Sequence, residues 1–178
     1  EFLSVIKRLR EEEPETKIVV FTTYLNTQSY LEHNLRDELS IEVETFHGSL
    51  SLEQKELAIR KFRESSPILI SSEAGGEGRN LQFASVIVNY DLPWNPMKVE
   101  QRIGRLDRRG QSHRVRVVNL FRRGTIEERV HNVLHDRIKL FEESVGSLEP
   151  ILGEIEDQFE NILLSGSEEE FNDLADKL

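Results

Sequence analysis

The sequence predicts an α/β fold, a parallel sheet flanked by helices with a helical C-terminal extension, and three observations carry that prediction. Five short segments rich in β-branched residues read as strands: residues 17–22 (KIVVFT), 41–46 (IEVETF), 67–71 (PILIS), 85–89 (SVIVN) and 114–121 (RVRVVNLF). Three of them are nearly continuous apolar runs, which suits strands covered on both faces, whereas half-solvated strands alternate. Helical patterns lie between them, at residues 26–39, 51–64 and 96–108, and this alternation is what βαβ units produce.

Beyond the last strand, Thr125 and Glu128 have the spacing of a capping box, in which hydroxyl and carboxylate satisfy free backbone donors at a helix start. Ile126, Val130, Val133, Leu134, Ile138 and Phe141 then recur at helical spacing and form one apolar stripe. Gly146 closes that helix, and residues 150–164 begin a second amphipathic one. The expected organisation is a lobe over residues 1–124, a helical extension over 125–164 packed on it, and a mobile acidic tail over 165–178.

A chain of 178 residues with 37% hydrophobic content buries one sizeable core. No run of eighteen apolar residues exists, and the first four residues (EFLS) lack the basic-then-apolar order of a signal peptide, so a soluble, cytoplasmic protein without a membrane partner is expected. There are no cysteines, which excludes disulfides and thiolate zinc sites. His131 and His135 stand four apart, but Asn132 occupies the place of a zinc protease's glutamate and no third ligand is evident, so no metal site is expected.

The net charge of -10 would argue against a nucleic-acid partner if it were evenly spread. Residues 142–178 hold twelve acids against one lysine, which leaves the rest near neutral. Within that rest, residues 98–123 hold nine Lys or Arg against two acids, a basic stripe beside an acidic tail.

The segment that points most strongly to chemistry is residues 100–111 (EQRIGRLDRRGQ). If the helix runs on to residue 108, Gln101, Arg105 and Arg108 share a face and converge as planar donors. Arginine forks of this kind suit phosphate, since each bonds two oxygens and stays charged. Gly104 inside that helix would cost about 1 kcal/mol relative to alanine, which implies that something approaches the backbone there. A second signal is residues 71–80 (SSEAGGEGRN), directly after an apolar strand. Its three glycines let backbone amides approach an anion or ribose. It is neither a dinucleotide fingerprint, because Leu81 stands where a third glycine is needed, nor a Walker loop, because no Gly-Lys-Ser/Thr follows. A plain glycine-rich turn remains the alternative on these residues alone.

Residues 101–108 (QRIGRLDR) resemble the sixth motif, Gln-x-x-Gly-Arg-x-x-Arg, of superfamily-two helicases and translocases. The resemblance implies a RecA-like lobe in which Arg105 and Arg108 act as arginine fingers on ATP, with Gln101 near the γ-phosphate and Gly104 beside the nucleotide. Residues 71–80 look like the fifth motif, which makes Ser71 and Ser72 candidate nucleic-acid contacts and places Gly76, Gly78 and Asn80 at the ATP. Residues 19–23 (VVFTT) resemble the fourth motif, with Thr22 and Thr23 on a phosphate, although a helix N-cap accounts for them equally well. Residues 46–48 (FHG) with Gln54, Lys55 and Phe62 resemble the following His-Gly motif, which adds His47 and Lys55 to the nucleic-acid contacts. Lys55 replaces the usual arginine there, keeping the charge and losing bidentate geometry. Residues 89–96 (NYDLPWNP) hold the only tryptophan, Trp94, which is either a lid on the core or a stacking surface. Their Asp-x-x-Trp-Asn-Pro order marks Swi/Snf-type motors among helicases. Residues 73–84 and 101–111, and Glu77 in particular, resemble the bacterial branch typified by an RNA-polymerase-associated remodelling ATPase.

The resemblance covers residues 17–145 and implies the second motor lobe of a nucleic-acid-dependent ATPase that translocates on duplex DNA and remodels protein–DNA complexes. ATP and Mg²⁺ would be held mainly by an N-terminal lobe in cis, without which this lobe is expected to be inactive. RNA polymerase or another DNA-bound protein would be the remodelling partner. Two rival readings stay open: an RNA- or DNA-unwinding helicase lobe, with RNA as partner, and a catalytically retired docking module. Like charges repel across about a Debye length, so the acidic tail is expected to weaken DNA binding. Removal of the residues beyond Leu164 should therefore raise affinity for duplex DNA at low salt in a filter-binding titration, and an unchanged affinity would refute this role of the tail.

Overall fold

A strand that is apolar on both sides belongs in the middle of a sheet, and the three most apolar segments take those places. In the computed structural model, β1 (Ile18–Thr22), β3 (Ile68–Ser72) and β4 (Val86–Asn89) are buried at every residue. The edge strands β2 (Val43–Phe46) and β5 (Arg116–Asn119) are only partly buried. The order is β2-β3-β1-β4-β5 with every pairing parallel, in register Ile18 with Ile68 and with Val86. The structure describes residues 1–72, 81–93, 96–106, 115–122 and 124–125.

Alternate residues of each strand face opposite sides, so one sheet generates two cores. Ile18, Val20, Val43, Ile68, Ile70, Val86 and Val88 pack beneath α1 (Phe2–Glu12) and α2 (Leu25–Leu39). Val19, Phe21, Phe46, Leu69 and Ile87 pack beneath α3 (Leu52–Glu64), joined by Leu81, Ala84 and Leu106. The remaining described helix is α4 (Pro96–Ile103). This is the RecA-like α/β arrangement expected from the alternation of strands and helices.

Helix α1 goes beyond the elements read from the sequence. Phe2, Ile6 and Leu9 are buried at intervals of four and three, the spacing of a single helix face. The rest of the helix is charged: Lys7 and Glu11 (4.0 Å), and Arg8 and Glu12 (3.9 Å), pair across one turn in solvent, which adds little stability. Arg116 on β5 donates to Glu12 at 2.6 Å and holds that carboxyl below its ordinary value. The contribution of this pair is present above the unfolded carboxyl's titration and fades as pH falls through the lowered one.

Local chemistry sets the helix ends. Ser51 caps α3 reciprocally with Gln54: the Gln54 amide donates to Ser51 Oγ at 3.2 Å, and the Ser51 amide donates to Gln54 Oε1 at 2.9 Å. Residues 1–92 and 100–121 form one compact unit, and residues 93–99 and 122–178 a second. In the second, the Thr125 hydroxyl donates to the Arg122 carbonyl at 2.5 Å after Gly124 at φ 70°. Glu128, the other half of the predicted capping box, the helices predicted beyond it and the acidic tail lie outside the described residues.

Helix α2 ends on Ser40 in the left-handed conformation, φ 52°, with its amide donating to the Arg36 carbonyl. A side chain there costs about 1–2 kcal/mol relative to the right-handed region, and glycine escapes that cost while losing about 0.5–1 kcal/mol of chain entropy. Ser40→Gly should therefore stabilise the chain by roughly 0.5 kcal/mol in urea unfolding, and Ser40→Val should destabilise it. A Ser40→Gly variant weaker than the parent would contradict this account of the cap.

Candidate functional site

Parallel strands deliver all their carboxyl ends to one edge of the sheet, where ligands of open α/β sheets bind. Here that edge collects polar residues after apolar strands. Phe21 pairs with Ser71, Thr22 with Ser72, and Phe21 with Asn89 across the β1–β3 and β1–β4 neighbours. His47 follows Phe46 at the end of β2. Thus Thr22, Thr23, Ser71, Ser72 and His47, separate in sequence, come to neighbouring strand ends.

Their side chains are engaged differently. Thr22 is fully buried and its hydroxyl donates to Asp91 Oδ2 at 2.7 Å. Thr23 is exposed, and it donates to Asp91 Oδ1 from both its amide and its hydroxyl at 2.9 Å. Neither threonine caps α2, whose N-cap is Tyr24 without a side-chain bond, so the capping alternative for these residues is corrected by the aspartate. Ser71 is buried and donates to the Ser72 carbonyl at 3.1 Å, and Ser72 is buried beside it. His47 is half-buried, with its Nδ1 buried and without a partner among the described residues. Lys55 is half-buried in the first turns of α3.

A second polar group surrounds Arg102, which is 3% exposed. One guanidinium nitrogen donates to Asn89 Oδ1 at 2.8 Å and to the Asp91 carbonyl at 3.1 Å. The guanidinium lies over the Phe21 ring, 5.1 Å from its centroid, and Asn89 in turn donates to Asn119 Oδ1 at 2.8 Å. Gln28 also works inward: its amide donates to the Phe46 carbonyl at 3.2 Å and the Ile70 carbonyl at 2.7 Å, satisfying the ends of β2 and β3. Asp91, Arg102, Asn89 and Gln28 were missed as site residues. A lone glutamine on the Gln28, Leu31, Leu35 stripe and an asparagine closing the apolar run of β4 were the available signals.

The segment bearing the arginines departs from its expected form. Helix α4 stops at Ile103, and Gly104 lies in a turn, so the prediction of a glycine inside a helix running to residue 108 is corrected. The Arg105 amide donates to the Arg102 carbonyl at 3.3 Å and the Leu106 amide to the Ile103 carbonyl at 2.9 Å, the tight spacing of a terminating turn. Gln101 and Gly104 are exposed, and Arg105 is half-buried with Nε and Nη1 covered. The Arg105 carbonyl accepts from the Leu81 amide at 3.2 Å, which ties this turn to the chain leaving the glycine-rich segment. Arg108, Gly76, Gly78, Asn80 and Trp94 lie outside the described residues. Among the described residues no group of three or more His, Asp or Glu is placed to hold a metal, and no helix is long and apolar enough to cross a membrane.

A parallel sheet in this order, with a polar carboxyl edge and an arginine-bearing turn after its last described helix, is the RecA-like fold of a superfamily-two helicase C-terminal lobe. The family model for the helicase conserved C-terminal domain matches residues 1–110. The chain is 41% identical over 170 residues to the protein named "Uncharacterized ATP-dependent helicase YqhH" of Bacillus subtilis (strain 168), covering 92% of this chain and 30% of that protein. It is 34% identical over 173 residues to the RNA polymerase-associated protein RapA of Vibrio vulnificus (strain YJ016), covering 96% of this chain and 18% of that protein. Among solved structures, the Sulfolobus solfataricus SWI2/SNF2 ATPase core in complex with dsDNA matches with a TM-score of 0.64 and 29% identity, over 80% of this chain and 30% of that one. The chain belongs to the helicase conserved C-terminal domain family, among the Swi/Snf-type superfamily-two ATPases, and spans less than a third of the two relatives' lengths.

Removing the Arg102 guanidinium leaves the Asn89 oxygen and the Asp91 carbonyl without a donor they now use, and a buried polar group left unsatisfied costs about 1–3 kcal/mol. Arg102→Leu should destabilise the chain by at least that amount in urea unfolding, with Arg102→Lys falling between it and the parent. An Arg102→Leu variant as stable as the parent would contradict the structural weight given to this arginine.

Proposed function

We propose that this chain is the second motor lobe of an ATPase that translocates on duplex DNA and remodels protein–DNA complexes. The observation that carries the reading is the segment from Gln101 to Arg105, where an exposed amide, an exposed glycine and a half-buried arginine follow one another around the end of α4. These groups fit a triphosphate chemically. They offer planar donors and an open backbone, and no carboxylate separates them in sequence.

On this reading Arg105, with Arg108, donates to the γ-phosphate of ATP, and Gln101 and Gly104 border it. A guanidinium neutralises charge that spreads onto the equatorial oxygens during phosphoryl transfer. Mg²⁺ and most of the nucleotide contacts belong to an N-terminal lobe in cis, while Gly76, Gly78 and Asn80 complete the nucleotide edge. Thr23, His47 and Lys55, with Thr22, Ser71 and Ser72 behind them, line the nucleic-acid side. Duplex DNA as the track is supported by the DNA-bound SWI2/SNF2 core among the structural neighbours, and RNA polymerase as a partner by the similarity to RapA. Binding of ATP between lobes would draw them together and shift their grip along the backbone.

In the full-length protein, Arg105→Ala should lower DNA-stimulated ATP hydrolysis by about 10³- to 10⁵-fold, the range for loss of an arginine finger. Intact stimulated hydrolysis in that variant would refute the assignment. Stimulation by single-stranded RNA in place of duplex DNA would favour the RNA-helicase alternative.

A further inference from the structure

Asp91 is bonded both to the end of β1 and to the arginine-bearing helix. Its carboxylate accepts from Thr22 Oγ1 at 2.7 Å, from the Thr23 amide at 2.9 Å and from Thr23 Oγ1 at 2.9 Å. Its backbone carbonyl accepts from Arg102 at 3.1 Å. Arg102 is held rigidly, being buried, bonded to Asn89 at 2.8 Å and laid over Phe21. The next link runs along the backbone: the Arg102 carbonyl accepts a hydrogen bond from the Arg105 amide at 3.3 Å in the turn that ends α4. A continuous series of bonds therefore runs from the exposed Thr23 to Arg105, and it passes through both ends of one aspartate.

The geometry points to Asp91 as a positioning residue that links a nucleic-acid phosphate engaged at Thr23 to the placement of Arg105. This deepens the reading given above and rests on it. The Thr23 hydroxyl and amide already donate to an anionic oxygen, so a phosphate at Thr23 offers the same chemistry and competes with the carboxylate for the same donors. The two anions also repel. Phosphate engagement thus loosens the carboxylate from Thr23, and the strain passes through the Asp91 carbonyl to Arg102 and on to the turn at Gly104. Asp91 touches neither ATP nor the reacting atoms in this account, so its effect lies in how strongly DNA controls hydrolysis.

The test uses the full-length protein, with ATP hydrolysis measured at saturating ATP with and without saturating duplex DNA. Asp91→Ala should lower the ratio of the two rates by about tenfold, within the range of allosteric couplings, and Asp91→Asn, which keeps an acceptor for Thr23 while losing the charge, should give an intermediate ratio. A residue that only supports the fold would change the amount of active protein, scaling both rates alike and leaving the ratio unchanged. Should Asp91→Ala fail to fold, the Asp91→Asn ratio decides: a value below the parent's supports the coupling, and one equal to it overturns the coupling. A ratio unchanged in both variants overturns it as well. Loss of hydrolysis in Arg105→Ala together with an unchanged Asp91→Ala ratio would defeat this inference alone, whereas intact hydrolysis in Arg105→Ala would defeat the functional reading itself.

Discussion

A guanidinium taken out of water must find acceptors, because the desolvation of an unpaired ion costs several kcal/mol. Arg102 meets part of that demand at the carboxyl end of β4, where one guanidinium nitrogen donates to the Asn89 side chain and the Asp91 carbonyl, and the group rests on Phe21 of β1. Asn89 then reaches Asn119 on β5. One buried cation thereby ties the last turn of α4 to β1, β4 and β5 at once. The position of Arg105 follows, since the chain turns at Gly104 immediately after this anchor and the Arg105 carbonyl is pinned by the Leu81 amide.

The same edge of the sheet explains why the polar residues of distant segments come together. Strands run parallel, so each enters from one side and leaves from the other, and every residue that follows an apolar run appears at the same edge. Gln28 satisfies the carbonyls of β2 and β3 there, and Asp91 satisfies the threonines that end β1. Thr22, Ser71 and Ser72 are buried behind Thr23. The division between a buried polar layer and an exposed threonine is what gives Asp91 its place, because among Thr22, Thr23, Ser71 and Ser72 only Thr23 is exposed.

Much of this was legible in the amino-acid sequence for a simple reason: central strands must be apolar on both faces. The segments ending at Thr22, Ser71 and Asn89 advertised β1, β3 and β4, and their nearly continuous apolar character implied a parallel sheet. The helical pattern over residues 51–64 marked α3, whose start the structure shows capped by Ser51 with Gln54. Helix α1 was less visible because Phe2, Ile6 and Leu9 are only three apolar anchors among charges, and its place in the fold depends on the sheet it covers. The end of α4 was misjudged for the opposite reason. Helical spacing from Gln101 to Arg108 is continuous on paper, but Gly104 is a poor helix former and hydrogen bonds spanning three residues close the turn that ends the helix. Motif spacing pointed to Arg105 and Gln101, yet Asp91 and Arg102 emerged only from three-dimensional partners, since neither residue type in isolation announces a network.

The central claim is that Arg105 meets a triphosphate delivered by another lobe of the same motor. It is tested most directly by the structure of the full-length protein bound to duplex DNA and a transition-state analogue of ATP hydrolysis. An Arg105 guanidinium nitrogen is expected at roughly 2.7–3.1 Å from the γ-phosphate position, the reach of a donor that stabilises developing charge. A closed, DNA-bound complex in which Arg105 stays turned toward its own lobe, with no donor from the α4 turn on the phosphate, would contradict it.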